Sequence, residues 1–173
     1  MHDDKRTANL LGATALAVAD LALAGLTRAA GTSSSGAAAL VVLSTAPGLS
    51  VTELGRRVGL SQSAAARMVD SLEASALVRR RSGAGREVAV ELTSDGEEAV
   101  SRLLTARSKP LRALVSGLDP DERDVLAGLL AKLLTRLYTE VGSAELLCRL
   151  CDRVGCTSGA VCPVGQAQCD RTA

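Results

Sequence analysis

Residues 50–92 carry the pattern that most constrains what this chain can fold into. Ser50 predicts a helix start, because a serine side chain can accept a hydrogen bond from the third helical N–H while the Glu53 side chain bonds back to the serine. Gly59 suits the left-handed conformation that ends a helix, and Ser61 predicts the start of a second helix. Two helices joined by so short a connection predict a helix-turn-helix.

The second predicted helix, from Gln62 to about Ser75, has two unlike faces. At helical spacing, its apolar face consists of Ala65, Met68, Val69 and Leu72. Its opposite face consists of Gln62, Ser63, Ala66, Arg67, Asp70 and Ser71. We expect the apolar face to pack on the rest of the domain and the opposite face to remain accessible.

A β-hairpin is predicted after the second helix, because the period of the apolar residues changes to two. One strand contains residues 88–92, its partner contains residues 78–81, and residues 82–85 supply a glycine-rich turn. The arginines of the hairpin are Arg79, Arg80, Arg81 and Arg86. A helix-turn-helix followed by a basic hairpin predicts a winged helix that contacts a phosphate backbone.

Four short segments connect this pattern with a known family. They are Pro47-Gly48-Leu49-Ser50-Val51-Thr52-Glu53-Leu54, Gly59-Leu60-Ser61-Gln62-Ser63, Val69-Asp70-Ser71-Leu72-Glu73 and Leu92-Thr93-Ser94-Asp95-Gly96. In this order and spacing, the chain resembles MarR-type transcriptional regulators over roughly residues 7–142. The resemblance implies a mainly α protein with a winged helix-turn-helix and a small β-hairpin wing. The sequence departs from the family at the wing, where Ala84 precedes Gly85-Arg86 and an aspartate that orients the arginine is usual.

The charge of the chain is distributed unevenly. The net charge is only +1, but residues 55–86 contain seven arginines and two acidic residues. A basic patch of this kind supplies the salt-sensitive, sequence-independent part of DNA affinity. Tyr138 is the only Phe, Tyr or Trp residue, so base stacking on such side chains is unavailable. This composition argues against a platform for RNA or single-stranded DNA.

The N-terminal region, residues 1–35, is predicted to contain one long helix from Thr7 to Ala30 and a loop. The helix has almost no polar face, so we expect it to lie in a dimer interface, with packing against its own domain as the alternative. A basic pair before an apolar run also resembles a secretion signal, but Asn9, Thr14 and Asp20 interrupt the run. We therefore expect a cytoplasmic protein without a membrane span.

The winged helix-turn-helix domain is assigned to residues 36–93, and two C-terminal dimerisation helices are assigned to residues 94–142. Ser94 is the predicted cap of the first of these helices, and Pro110 is expected to kink it. Asp119 is the predicted cap of the second. Apolar pairs recur every four residues along the second helix, and they suit either a partner subunit or the core of the same subunit.

The last segment, residues 143–173, contains all five cysteines of the chain. Their spacing is C-x2-C-x4-C-x5-C-x6-C. Four thiolates suit either tetrahedral Zn²⁺ or an iron–sulfur cluster, and Cys162-Pro163 resembles the cysteine–proline sequence found at iron–sulfur ligands. The predicted ligands are Cys148, Cys151, Cys156 and Cys162, with Cys169 as the spare cysteine or an alternative ligand. A metal-free thiol switch and inert cysteines are the other interpretations.

Together these features predict a homodimeric, sequence-specific transcriptional regulator, expected to be a repressor, that binds double-stranded DNA at an inverted-repeat operator. The predicted DNA-contacting residues are Arg56, Ser61, Gln62, Ser63, Ala66, Arg67, Asp70, Ser71, Arg80, Arg81 and Arg86. The cysteine cluster would sense redox, iron or metal state. The alternative is a metal-dependent protein-interaction module that keeps a winged-helix scaffold without binding DNA. An enzyme is not expected, because the only histidine is His2 and the sequence offers no nucleophile–base pair.

Overall fold

The computed structural model describes residues 4–82 and 88–172. The first half contains α1 (Asp4–Ala30), α2 (Ser34–Thr45), β1 (Leu49–Ser50), α3 (Val51–Val58), α4 (Gln62–Ala74) and β2 (Val78–Ser82). The second half contains β3 (Val88–Leu92), α5 (Ser94–Val115), α6 (Pro120–Val141), α7 (Ala144–Leu147), α8 (Arg153–Thr157) and α9 (Pro163–Thr172). The chain is therefore mainly α with a small antiparallel sheet, as the sequence predicts.

The helix starts follow from local capping bonds. Ser50 Oγ accepts from Glu53 N at 3.2 Å and Ser61 Oγ accepts from Ala64 N at 3.4 Å, as predicted. Asp119 and Glu122 form the complete capping box at the start of α6. The predicted cap of α5 was wrong by one residue, because Thr93 Oγ1 and not Ser94 accepts from the first turn.

The sheet has the strand order β1-β3-β2, and both pairs are antiparallel. The predicted hairpin of β2 and β3 is present, with Val78 opposite Leu92 and Arg80 opposite Val90. The short strand β1 lies directly before α3 and adds the third strand, which the sequence pattern did not predict. The sheet thereby fixes the wing to the first helix of the helix-turn-helix.

The hydrophobic core is centred on α2, where every residue from Gly36 to Leu43 is buried. Leu54 of α3, Leu72 of α4 and Leu103 of α5 pack into the same cluster with at most 1% of their surfaces exposed. Because α3 and α4 both insert buried leucines into one core, the orientation of the helix-turn-helix is set by packing and not by the turn alone.

Helices α1 and α6 are long and incompletely covered. α1 packs mainly along α5, and α6 packs against α9 and α7. In the described part of the chain, α1 is the one helix whose length and apolar composition would allow it to cross a membrane. Helices at subunit interfaces have the same length and composition, and α1 carries Asp20 near its middle. α5 continues as a helix through Pro110.

Candidate nucleic-acid interface and cysteine cavity

The helix-turn-helix is built on a close approach of two helices. A Cβ atom added to Gly55 of α3 would lie 2.5 Å from the Cβ of Ala65 in α4, so only glycine allows this separation. Gly59 ends α3 with φ 75° and ψ 33°, the left-handed conformation predicted for it. These two glycines place the outer face of α4 at a fixed angle to α3.

The outer face of α4 is accessible to a ligand, as its pattern predicts. The exposed residues at its start and along this face are Ser61, Gln62, Ser63, Arg67, Asp70 and Ser71, and Ala66 is half-buried among them. In residues 4–82 and 88–172, no ion pair or hydrogen bond holds the guanidinium of Arg67. A polar helix face with an unpaired cation can therefore donate hydrogen bonds to base edges or phosphates.

The arginines of the wing strand are paired with carboxylates of the same subunit. Arg80 Nη2 lies 2.6 Å from Asp70 Oδ1, and Arg80 also pairs with Glu73. Arg79 and Arg81 both pair with Glu91 of β3, at 3.0 Å and 3.4 Å. The Arg79 hydrogen bond lowers the pKa of Glu91. The positive charge of this surface is consequently smaller than the count of arginines predicts, and Arg86 lies outside the described residues.

The exposed side of α3 carries an ion-pair network around Glu53. Its carboxylate accepts from Arg56 Nε and from Arg57 Nε, both at 2.8 Å. These hydrogen bonds lower the pKa of Glu53 from 4.5 to about 2. The Glu53 side chain therefore binds arginines and does not bond back to Ser50, which corrects the predicted second half of that capping box. Arg56 also reaches Glu145 of α7 at 3.4 Å.

Comparisons with known proteins agree with this geometry. The MarR family sequence profile matches residues 24–86. A MarR family transcriptional regulator from Silicibacter pomeroyi is 30% identical, with a TM-score of 0.53 over 69% of this chain and 84% of that chain. This chain belongs to the MarR family. The family consists of DNA-binding transcription regulators, so the predictions of fold, family, DNA-binding regulator and absence of enzymatic activity are confirmed.

Two other solved structures share the fold of this MarR-family protein at lower identity. YusO from Bacillus subtilis is 23% identical, with a TM-score of 0.68 over 77% of this chain and 97% of that chain. MepR, a transcription regulator of the Staphylococcus aureus multidrug efflux pump MepA, is 20% identical, with a TM-score of 0.67 over 75% of this chain and 97% of that chain. Among curated proteins, none matches the sequence significantly.

The MarR-family protein has a second feature, an extended apolar surface on α1, the end of α5 and α6. Its exposed large apolar residues are Leu10, Leu11, Leu16, Leu21, Leu23, Leu114, Val115, Val125, Leu129, Leu130, Leu133, Leu134, Leu137 and Val141. Tyr138 is the buried exception on α6, and Arg171 of α9 lies 6.0 Å from the centre of its ring. The apolar residues of α6 do not pack in the core of their own subunit, because those named above are exposed in the single chain.

The third feature is a cavity of about 240 Å³ between the C-terminal segment, α2 and α3. Cys148, Cys151, Cys156 and Cys162 all line it. Its other lining residues include Val41 and Val42 of the core, the cations Arg57 and Arg153, and the carboxylate of Glu145. Cys169 is exposed on α9, where its neighbour Gln168 lines the cavity. The structure therefore brings together the four cysteines that the spacing groups.

The thiols around this cysteine cavity affect one another's pKa, because Cys148 senses Cys162 and Cys156, and Cys151 senses Cys156 and Cys148. Burial is the main cause that raises the pKa of Cys148, and burial together with Cys156 raises the pKa of Cys151 to about 12. Both thiols are therefore neutral at neutral pH. The Cys162 sulfur accepts from Gly165 N at 3.4 Å, in the first turn of α9.

The first two cysteines lie directly after α7. α7 ends at Leu147, so Cys148 and Cys151 are joined by a turn, with Cys151 N donating to Cys148 O at 2.9 Å. In the described residues, no three His, Cys, Asp or Glu side chains converge closely enough to hold a single metal ion. The metal ligands remain predictions. Sequence reasoning also missed Arg57, Glu145 and Arg153, because no local pattern relates these residues to the cysteines.

Proposed function

We propose that this MarR-family regulator is a homodimeric repressor that binds double-stranded DNA at an inverted-repeat operator. The observation that carries the proposal is the exposed polar face of α4, with the unpaired guanidinium of Arg67 at its centre. α4 would enter the major groove, where an arginine can bond to the O6 and N7 atoms of guanine. Arg56, Arg81 and Arg86 would contact the phosphates on either side.

The exposed apolar surface on α1, α5 and α6 supports the homodimer. A soluble monomer rarely leaves so many large apolar side chains accessible on its helices, and a second copy of the chain would cover them. A two-fold axis through these helices would present two copies of α4 to the same face of DNA. An inverted repeat follows from that symmetry, and the spacing of its half-sites would equal about one helical turn of the duplex.

Repression in the cytoplasm is the expected mode of action. A dimer seated on two half-sites of a promoter blocks access of other proteins to the same stretch of DNA. The packing of α1 along α5 supports a helix that is covered by protein and not inserted in lipid.

Selection of binding sites from random duplexes, followed by a titration, tests this function. We expect an enriched inverted repeat and an affinity that falls steeply with salt. Arg67→Ala should cost about 1–3 kcal/mol at one base position and relax the preference there. Arg102→Ala removes the same charge from α5, where Arg102 pairs with Glu98, and should leave the preference unchanged. Failure to enrich any sequence would favour the alternative, a protein-interaction module that does not bind DNA.

A second candidate function is the sensing of metal, iron or redox state through the C-terminal cysteines. The specific observation is that four of the five cysteines line one cavity although they are spread over residues 148–162. Metal analysis of anaerobically purified protein distinguishes Zn²⁺, iron with sulfide, and a metal-free state.

A further inference from the structure

The size of the cysteine cavity favours an occupant of several atoms over a single metal ion. Zn–S bonds of about 2.3 Å bring four sulfur atoms to within about 3.8 Å of each other and leave no open space between them. Among residues 4–82 and 88–172, no three such side chains surround a single ion position, and the four cysteines line a cavity of about 240 Å³. One water needs about 30 Å³, so the cavity accommodates a group several times larger than one metal ion.

The surroundings of the cavity suit a sulfur-rich, anionic guest. Val41, Val42 and Val164 are apolar, while Arg57, which is also paired with Glu53, and Arg153 bring two positive charges to a lining that includes the carboxylate of Glu145. The backbone N–H of Gly165 points at the sulfur of Cys162. Amide hydrogen bonds to cysteine sulfur and nearby cations stabilise the negative charge that four thiolates give to an iron–sulfur cluster.

We propose that the cavity binds an iron–sulfur cluster through Cys148, Cys151, Cys156 and Cys162, and that cluster occupancy sets operator affinity through the contact of α7 with α3. The assignment of the cluster site does not depend on DNA binding, whereas the effect on operator affinity rests on the proposed DNA-binding function. Binding is a ligand exchange in which the four cysteine thiols replace the four thiolate ligands of a preassembled cluster, and the four protons that the cysteines lose pass to the departing thiolates. The iron keeps its oxidation state in this step.

The coupling follows from what the cysteine segment contacts. The Glu145 carboxylate lies 3.4 Å from Arg56 Nη2, and Leu146 Cδ1 lies 3.0 Å from the position of a Cβ on Gly59. The segment that carries Cys148 therefore packs on the first helix of the helix-turn-helix and on its turn. A cluster that joins Cys148 to the later cysteines would hold α7 in place against α3. Loss of the cluster would free α7 and loosen the support of α4.

Anaerobic purification of the full-length protein tests the site. We expect iron and sulfide in equal amounts, about two or four of each per chain, with a visible charge-transfer absorption. Cys148→Ser and Cys156→Ser should lose both, whereas Cys169→Ser, which changes an exposed cysteine outside the cavity, should keep both. Zinc at about one ion per chain without sulfide would overturn the assignment, and so would a protein that contains neither iron nor zinc.

The coupling is measured by fluorescence anisotropy with the selected operator, before and after anaerobic removal of iron by a chelator. We expect about a tenfold loss of affinity on removal. Glu145→Gln, which keeps the cysteines but weakens the contact with Arg56, should retain the iron and reduce this loss. Equal affinities of the iron-loaded and stripped proteins would overturn the coupling while the DNA-binding function stands. A loaded protein that binds no duplex would instead refute the proposed function and leave the cluster assignment intact.

Discussion

Arg80 Nη2 on the wing strand lies 2.6 Å from Asp70 Oδ1 on α4. The same guanidinium pairs with Glu73, and the backbone N–H of Arg80 donates to Glu73 Oε1 at 3.0 Å. This network joins the wing to α4 and uses two residues that the sequence pattern assigns to DNA. Asp70 and Arg80 therefore hold α4 and the wing strand in register, and the predicted contacts of these two residues with DNA would require the pair to open.

Arg80→Ala should lower the free energy of unfolding by roughly 1 kcal/mol, because it removes a half-buried charged network between two elements. Arg81→Ala removes an exposed arginine whose contact with Glu91 spans 3.4 Å, and it should change stability little. Chemical denaturation of both variants measures the difference. Equal stabilities of the two variants would show that the Arg80 network does not support the fold.

Arg86→Ala should weaken binding to all duplexes by a similar factor, since an arginine at the wing is expected to contact phosphate. The slope of log affinity against log salt should become shallower by about one unit for each phosphate that the variant no longer neutralises. Titrations at several salt concentrations measure this slope, and Arg102→Ala is the control for the removal of one charge. An unchanged slope would place the wing arginine away from the phosphates.

Leu129→Glu should convert the dimer to a monomer and reduce operator affinity at the same time. Leu129 is 52% exposed in the single chain and lies within the apolar surface of α6, where a buried carboxylate would oppose association. Sedimentation measures the assembly against the chain mass of 17.7 kDa. Val154→Glu is the matched control, because Val154 is 82% exposed on α8 outside this surface. A wild-type protein that sediments as a monomer at micromolar concentration would contradict the dimer.

Glu53→Gln should destabilise the protein by roughly 0.5 kcal/mol at neutral pH, since the exposed pairs with Arg56 and Arg57 are screened by solvent. The pKa of Glu53 falls from 4.5 to about 2 in the folded state, so the stabilisation is complete above pH 4.5 and is lost as pH falls towards 2. Thermal unfolding of both proteins from pH 7 downwards should show the two melting temperatures converge. A difference that stays constant through this range would exclude the ion pairs as its cause.

The helix-turn-helix could be predicted from the sequence because its signals are local. The caps at Ser50 and Ser61 and the left-handed Gly59 each depend on a few adjacent residues. The predicted start of α5 was wrong by one residue, because Thr93 and Ser94 are both residue types that cap helices. A tertiary bond decides between them, since Thr93 Oγ1 also donates to Ala76 O at 2.6 Å.

The ion pairs of the site were harder to predict from the sequence than its helices and turns. The cross-strand pair of Arg79 and Glu91 could have been found from the hairpin register. The contact of Arg56 with Glu145 joins residues 89 positions apart, and no local pattern encodes it. The four cysteines that the spacing groups line one cavity, but their proximity to α3 depends on how the chain turns back after α6.

That return of the chain occurs at Gly142, which ends α6 in the left-handed conformation with φ 69°. This turn directs α7 onto α3 of the same subunit. The helix-turn-helix of each chain is therefore supported by the C-terminal segment of that same chain. In a dimer in which only one C-terminal segment is altered, the helix-turn-helix of one subunit would be supported and that of the other would not. Mixed dimers made from wild-type and Cys148→Ser chains would then respond in graded steps, and a mutant allele would be only partly dominant in a cell that carries both.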